Sequence, residues 1–492
     1  MPFGERATLA HRSQISCSPQ FHTVLLRTVL LSSALLLAPH SEGLRMRAPA
    51  EMGMSPDRLE IIGRVMHRGI SAGGFPGAAV IVGRRGGLVY EEGFGNLSWG
   101  LSSAPVSADE SIYDLASLTK VIGTTTAAMV LYDEGKLDLD GKVSSYIPEF
   151  TGGMKDLVTV RMLLTHQAGL PPGRDVWRKR VSAAEAKQMV LTTKLQYRPG
   201  SGTTYSDIGA DILGWVVESA AAEPLDTFLH TRVFAPLGMR NTGFKPADSL
   251  RYRIAPTEVS PPRGYPLRGE VHDENAYALG GIVGHAGLFG TAADLAIFAQ
   301  MMLNRGEYNG VRIIADSTVR LFTGRATKTR ALGWEIAEGQ HGAGDYFDEH
   351  AFGHTGYTGT SLWIDPDREM FVVLLTNRVH ASRVRRPSLV IADVRQDVTD
   401  AAALSVLDEP FAIAVMPESF RSDRAENWNK PFRGRARRPT TAMSAAAKEA
   451  AAKTSRVSTK PGLKAPPAPA ATRPAATAAP SKGIPTKSVA KR

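Results

Sequence analysis

The sequence predicts an α/β (α+β) protein: a mixed, largely antiparallel sheet with helices on both faces, joined to an all-helical lobe. Three observations lead there. A hairpin pattern stands early in the chain, helical segments fill its middle, and strand patterns return before a closing helix. Strands supplied from both ends around an inserted helical block imply one sheet assembled from distant segments.

Taken in order, Ser55 is placed as the N-cap of a helix running from Pro56 to Met66, where apolar residues recur at helical spacing. Ala78-Ala79-Val80-Ile81-Val82-Gly83, the turn Arg84-Arg85-Gly86-Gly87 and Leu88-Val89-Tyr90-Glu91-Glu92 read as a β-hairpin. From about Ile112 to Asp248 the pattern is helical, with segments near 117–134, 159–166, 183–192, 207–219 and 225–233 separated by Gly and Pro loops. Strand character returns at Leu332–Ile336, Thr360–Ile364 and Met370–Leu375. The turn Asp365-Pro366-Asp367-Arg368 joins the last two. Pro387 to about Leu407 reads as the closing helix. The division expected is a sheet lobe from 50–112 and 270–410, and a helical lobe from 113–269, with the active site between them.

The 492 residues are 43% hydrophobic and 7% aromatic, which suits a globular chain with an ample core. The net charge of +10 is localised. From Pro431 to Arg492 there are 14 Lys and Arg against the single acid Glu449, so that segment carries +13 and leaves −3 for residues 1–430. No specific nucleic-acid surface is therefore expected on the body, and the tail at 419–492, rich in Ala, Pro and Lys, is expected to be a disordered, basic appendage that could touch polyanions. The single cysteine, Cys17, excludes an internal disulfide and a thiolate metal site. Residues 1–45 combine Arg6, Arg12 and Arg27 with the apolar run Val29–Ala38, too short to span a bilayer comfortably. They are read as an export signal, with a buried helix as the alternative, so membrane contact is expected only there. Cys17 precedes the run, so a lipoprotein anchor is not expected.

Serine needs a base within hydrogen-bonding reach to act as a nucleophile at neutral pH. Ser117-Leu118-Thr119-Lys120 places a lysine one turn along a predicted helix, where residues three apart share a face. Unpaired N–H groups of the first turn favour developing negative charge. Burial is expected to lower that lysine's proton affinity. Alone, such a tetrapeptide says little. Tyr205-Ser206-Asp207, which follows the loop Arg198-Pro199-Gly200-Ser201-Gly202, can expose a phenol over a cleft, and His354-Thr355-Gly356 opens a strand between Gly353 and Gly359.

With these three motifs in this order, about residues 50 to 410 resemble the penicillin-recognising serine hydrolases: class C β-lactamases, low-molecular-weight DD-peptidases, D-aminopeptidases and related esterases. Leu163–Leu170 (LLTHQAGL), Pro236–Met239 (PLGM) and Gly284–Phe289 (GHAGLF) match as well. The resemblance implies the β-lactamase/transpeptidase-like fold, with Ser117 as acylated nucleophile and Lys120 as acceptor of its proton. It makes Tyr205 a proton shuttle to the leaving group, and gives the oxyanion hole to the backbone N–H groups of Ser117 and Tyr357. Asp207, His354, Thr355 and Gly356 would contact substrate. No metal or organic cofactor is implied. The substrate would be a small molecule or peptide, with peptidoglycan-derived D-amino-acid peptides and small esters foremost; the oligomeric state stays open. Asp207 stands where the family often has Asn, and His354 where β-lactamases usually have Lys. Both weaken a β-lactamase reading, because a neutral histidine attracts a carboxylate less than lysine does.

Gly69-Ile70-Ser71-Ala72-Gly73 has the nucleophile-elbow pattern, but a helical segment, not a strand, precedes Ser71. His272, Asp273, Glu274 and His285 fit no metal-ligand spacing and are expected to order loops beside the cleft. His166 is expected to be structural. Of Trp334, Tyr357 and Trp363, only Tyr357 is expected in the cleft. A catalytically idle penicillin-binding or scaffold module is the alternative of another class, opposed by the intact Ser117, Lys120 and Tyr205.

Overall fold

The computed structural model describes residues 44–260, 263–337, 342–383 and 388–424. The apolar run of the export-signal reading and the tail beyond Arg424 lie outside the described residues. The strands are β1 (Gly77–Arg84), β2 (Gly87–Gly95), β3 (Tyr113–Asp114), β4 (Gly243–Phe244), β5 (Leu288–Gly290), β6 (Glu307–Tyr308), β7 (Val311–Arg312), β8 (Glu335–Ile336), β9 (Phe352–Thr355), β10 (Ser361–Asp365) and β11 (Met370–Thr376). Five helices frame the site: α1 (Pro56–Ser71), α2 (Thr126–Asp133), α3 (Asp207–Ala221), α4 (Ala292–Leu303) and α5 (Ser388–Leu404).

The main sheet has the order β2-β1-β11-β10-β9-β8 and is antiparallel throughout. The hairpin turns at Arg85 (φ 50) and Gly86 (φ 82). Two successive positive φ values give the backbone twist that matches paired strands. β1 then pairs with β11, Val80 opposite Leu374 and Ile81 opposite Val373, so strands from distant parts of the chain meet inside the sheet.

β1 is buried along its whole length, which explains why its sequence is continuously apolar instead of alternating. Val80, Val82, Val372 and Leu374 pack with Leu59, Ile62 and Val65 of α1 and with Val390, Val394 and Val398 of α5. Ile81, Val373, Leu375, Leu362 and Ile364 belong to the opposite cluster, with Leu295 and Phe298 of α4 and the helices of the middle segment.

The predicted mixture of a largely antiparallel sheet and helices on both faces is therefore present. Differences are local. Residues 112–248 are not wholly helical, because β3 and β4 flank β5 in a small three-stranded sheet. The segment near 117–134 is not one helix: a wider π-helical stretch, Thr119–Thr125, precedes α2. The strand expected from Leu332 begins only at Glu335, because Gly333 (φ 86) turns the chain and donates its N–H to Leu164. Order also continues past Ser419. Phe420 is buried, and Arg421 opens a short helix and binds Asp397 and Asp400 of α5.

Candidate active site

Ser117 follows β3 directly, in the turn that enters the π-helical stretch. The turn is held under strain. Ala116 has φ 47, a left-handed value that costs a residue with a Cβ about 1–2 kcal/mol. Its N–H donates to Asp114 Oδ1 at 2.8 Å, and Asp114 Oδ2 accepts from the His272 N–H at 2.7 Å. Burial raises the Asp114 carboxyl above its ordinary range, against those hydrogen bonds.

The turn between β9 and β10 lies against the Ser117 turn. Thr358 Oγ1 donates to Asp114 O at 2.7 Å and Thr360 Oγ1 to Leu115 O at 3.0 Å. A Cβ on Gly356 would stand 2.1 Å from Thr360 Oγ1 and 2.6 Å from Leu115 O, so only glycine allows the approach.

Lys120 is 4% exposed, and its Nζ meets three oxygens: Ser117 Oγ at 3.0 Å, Asp207 Oδ1 at 2.7 Å and His285 O at 3.2 Å. These fill the three donors of an ammonium. The expected loss of proton affinity is reversed. Burial does pull the pKa of Lys120 down, but the Asp207 carboxylate outweighs it with help from Tyr205, and Lys120 holds its proton more tightly than a free lysine. Asp207 is correspondingly lowered by Lys120, despite its own burial.

Tyr205 precedes α3, whose N-cap Ser206 accepts from Gly209 N–H. The loop containing LLTHQAGL pins this junction. His166 O accepts from Thr204 N–H, His166 Nδ1 from Ser206 N–H at 3.2 Å, and Pro172 O from Asp207 N–H. His166 packs against Tyr205 with ring centroids 4.7 Å apart and the planes tilted by 48°, and burial favours its neutral form. Lys120 Nζ and the Arg330 guanidinium lie 4.9 and 5.1 Å from the Tyr205 ring centroid.

His354 is buried in β9 and its pKa is lowered to about 4, chiefly by desolvation. Its Nδ1 lies 2.8 Å from Thr355 O, which can only accept, so Nδ1 carries the proton and Nε2 a lone pair. This neutral ring offers no positive charge to a substrate anion.

Arg330, Glu335, Arg378 and Arg395 complete the surroundings, and none was singled out from the sequence. Arg330 pairs with Glu335 at 2.9 Å, while Arg395 Nη2 donates to Gly356 O at 2.6 Å and Thr360 O at 2.9 Å. Only folding brings them to the site.

Two cavities meet at Ser117, Tyr205 and Tyr357. One, of about 610 Å³, continues past His354, Thr355 and Gly356 to Arg330, Arg378 and Arg395. The other, of about 330 Å³, runs to Asp207, His272, Asp273, His285 and Arg383. Among the described residues the N–H groups of Ser117 and Tyr357 have no protein acceptor.

The charged loop residues order the second cavity. His285 lies between Asp211 at 2.6 Å and Asp273 at 3.1 Å, which raise its pKa against burial, and His272 Nε2 meets Glu258 at 3.0 Å. His272, Asp273, Glu274 and His285 do not converge as a metal set. A different trio, Asp348, His350 and Asp367, comes close together on the surface, but His350 Nδ1 already binds Asp367 at 2.6 Å. Trp334 and Trp363 are core, and Tyr357 is 51% exposed in the cleft. Ser71 ends α1 and is exposed, with no strand before it.

A serine whose hydroxyl meets a buried ammonium, with a tyrosine and a pair of free N–H groups at the same cavity, is the equipment of a serine hydrolase. The sequence model of the beta-lactamase family matches residues 61–395, and the chain belongs to that family. It is 34% identical over 395 residues to a Salmonella agona protein named "Putative D-alanyl-D-alanine carboxypeptidase", covering 73% of this chain and 91% of that one. An Escherichia coli protein of the same name is 33% identical over 401 residues, with the same coverage. Among solved structures, EstCE1, described as a hydrolase with promiscuous acyltransferase activity, superposes with a TM-score of 0.57 at 25% identity, covering 70% of this chain and 98% of that one. A penicillin-binding protein homologue from Caulobacter crescentus gives 0.56 at 19% identity over 71% and 99%, which speaks to the fold.

Proposed function

We propose that this serine hydrolase removes the terminal residue of peptides ending in a free carboxylate, of the D-alanyl-D-alanine type, through a Ser117 ester. The observation that carries the substrate is the charge of the 610 Å³ cavity: Arg330, Arg378 and Arg395 line it against the single carboxylate of Glu335. Three guanidinium groups facing one acid favour a substrate that brings a carboxylate of its own. The names of the Salmonella and Escherichia coli relatives support the same reading.

Ser117 attacks the penultimate carbonyl carbon. Because Lys120 is held as an ammonium, its part is to stabilise the developing alkoxide, and Tyr205 relays the proton. Tyr205 accepts the Ser117 proton while giving its own to the departing amine nitrogen, so the C–N bond breaks as the ester forms. Water then reverses the relay, passing a proton through Tyr205 back to Ser117 Oγ and leaving a carboxylic acid. The N–H groups of Ser117 and Tyr357 hold the oxyanion, each donor contributing about 3 kcal/mol in the transition state.

This reading places the site between a sheet lobe (50–112 and 270–410) and a helical lobe (113–269). Ser117, Lys120, Tyr205 and Asp207 come from one, and His354 to Tyr357 from the other. Residues 1–45 direct export, supported by their arginines and short apolar run, and the envelope supplies the substrate. Small esters form a second reading, favoured by the likeness to EstCE1.

The test compares a peptide ending in D-Ala-D-Ala with its C-terminal amide, alongside nitrophenyl acetate. The carboxylate peptide should be preferred at least tenfold. Arg330→Gln should abolish that preference mainly through KM, leaving nitrophenyl acetate turnover within a fewfold of wild type. Equal hydrolysis of acid and amide by the wild type would reject the carboxylate reading.

A further inference from the structure

We infer that Tyr357 sets the acyl-group specificity of this hydrolase, as a fixed wall dividing the cleft into two chambers that share Ser117. The inference rests on Ser117 being the nucleophile. Tyr357 lines both cavities, and with Ser117 and Tyr205 it is what the two have in common. Its side chain stands 51% exposed, yet the ring is held from several sides. The Arg378 guanidinium lies 4.6 Å from the ring centroid, that of Arg383 5.6 Å, and the His272 ring 5.9 Å at an interplanar angle of 22°.

These neighbours are themselves anchored. Arg378 Nε donates to Tyr357 O at 2.9 Å, which fixes the backbone beneath the ring. Arg383 is bound to Glu258 and, at 2.7 Å, to Glu274; Glu258 in turn meets His272. An aromatic ring packed between anchored cations and a stacked imidazole has few alternative rotamers open to it. It acts as a partition instead of a swinging lid.

The partition assigns the two ends of a substrate. The arginine-rich chamber takes the carboxylate-bearing leaving group, so the acyl group, on the other side of Ser117, falls to the chamber of about 330 Å³. That volume is small, which favours compact acyl groups over long alkyl chains. A pocket discriminates about 10- to 200-fold for each misfitting methylene, so the wall has ample leverage.

The experiment measures kcat and KM of the full chain for nitrophenyl esters sharing one leaving group, with acyl groups from acetyl to octanoyl. Tyr357→Ala should raise the ratio of octanoyl to acetyl kcat/KM at least tenfold, chiefly by lowering KM for octanoyl. Tyr357→Phe, which keeps the ring, should leave the ratio within about twofold. If the alanine variant does not fold, Tyr357→Leu carries the same comparison. Equal slowing of every ester, or a Phe variant that shifts the ratio as far as Ala does, overturns the inference. Labelling by a fluorophosphonate runs in parallel. A wild type unlabelled at Ser117 would remove the nucleophile, and this inference with it, whereas labelling with an unmoved ratio would reject the wall alone.

Discussion

Asp207→Asn isolates what keeps Lys120 protonated. The amide oxygen can still accept from Nζ, so geometry is kept while the full negative charge disappears. Two unit charges 4 Å apart attract by about 4 kcal/mol at an effective dielectric of 20. Asp207 is 37% exposed at its side chain, so solvent trims this to about 1–3 kcal/mol, a fall of roughly 5- to 150-fold in the proton affinity of Lys120. Burial then acts with less opposition. The assay is the pH dependence of acylation by nitrophenyl acetate, followed as the nitrophenol burst. In the wild type the alkaline loss caused by Lys120 deprotonation lies beyond the accessible range, because its pKa is raised. In Asp207→Asn it should move down by about one to two pH units, in line with that energy. Stability follows from the same shifts. Asp207 is depressed when folded, so its contribution is present above its unfolded pKa of about 3.9 and is lost as pH falls through the folded value. Lys120 is raised, so its contribution is complete below about pH 10.4 and is lost only as pH rises through the folded value. The melting-temperature gap between wild type and variant should therefore be flat across neutral pH and close below about pH 4. A variant that stays as flat as the wild type up to the alkaline end of the accessible range would refute the assignment of Asp207 as the group that holds the proton.

Further outcomes follow from single contacts. His354 titrates at about 4 when folded and at an ordinary 6.5 otherwise, so the unfolded chain binds a proton that the folded chain refuses. As pH is lowered from about 6.5 to 4, wild-type stability should drop by about 3 kcal/mol, and His354→Gln should lack that slope in thermal melts. Gly356→Ala would drive a methyl group against Leu115 O, a backbone atom that cannot swing away. It should cost about 100-fold or more in kcat/KM by moving β9 from Ser117, and stability as well; a variant within threefold of wild type would show the contact to be slack.

The hairpin, the outer helices and the three motifs were legible because each is encoded locally. Arg85-Gly86 supports two positive φ values, Ser206 caps the helix that begins at Asp207, and β1 announces its interior place by the apolar run Ala78–Val82. The small sheet was not legible, since β3 and β4 are two residues long and β5 three, too short to show a period. The distant arginines escaped for another reason: Arg330 and Arg395 lie far from the motifs in sequence, and no spacing rule connects them. The proton affinity of Lys120 was misjudged because its sign depends on a competition. Burial is predictable for a lysine in an apolar helix, but a carboxylate 2.7 Å away, 87 residues along the chain, decides the result. Ser419 illustrates the reverse case, where composition changes but Phe420 still finds a buried place and Arg421 an ion pair with Asp400 of α5.

The central claim is that Ser117 carries the acyl group. The most direct measurement is intact and peptide mass spectrometry of the full chain quenched during turnover of nitrophenyl acetate or after exposure to a fluorophosphonate. The account predicts one adduct, on the peptide containing Ser117, absent from Ser117→Ala, whose turnover should drop by about 10⁶. An adduct on another residue, or an alanine variant that still forms one at the wild-type rate, would contradict it.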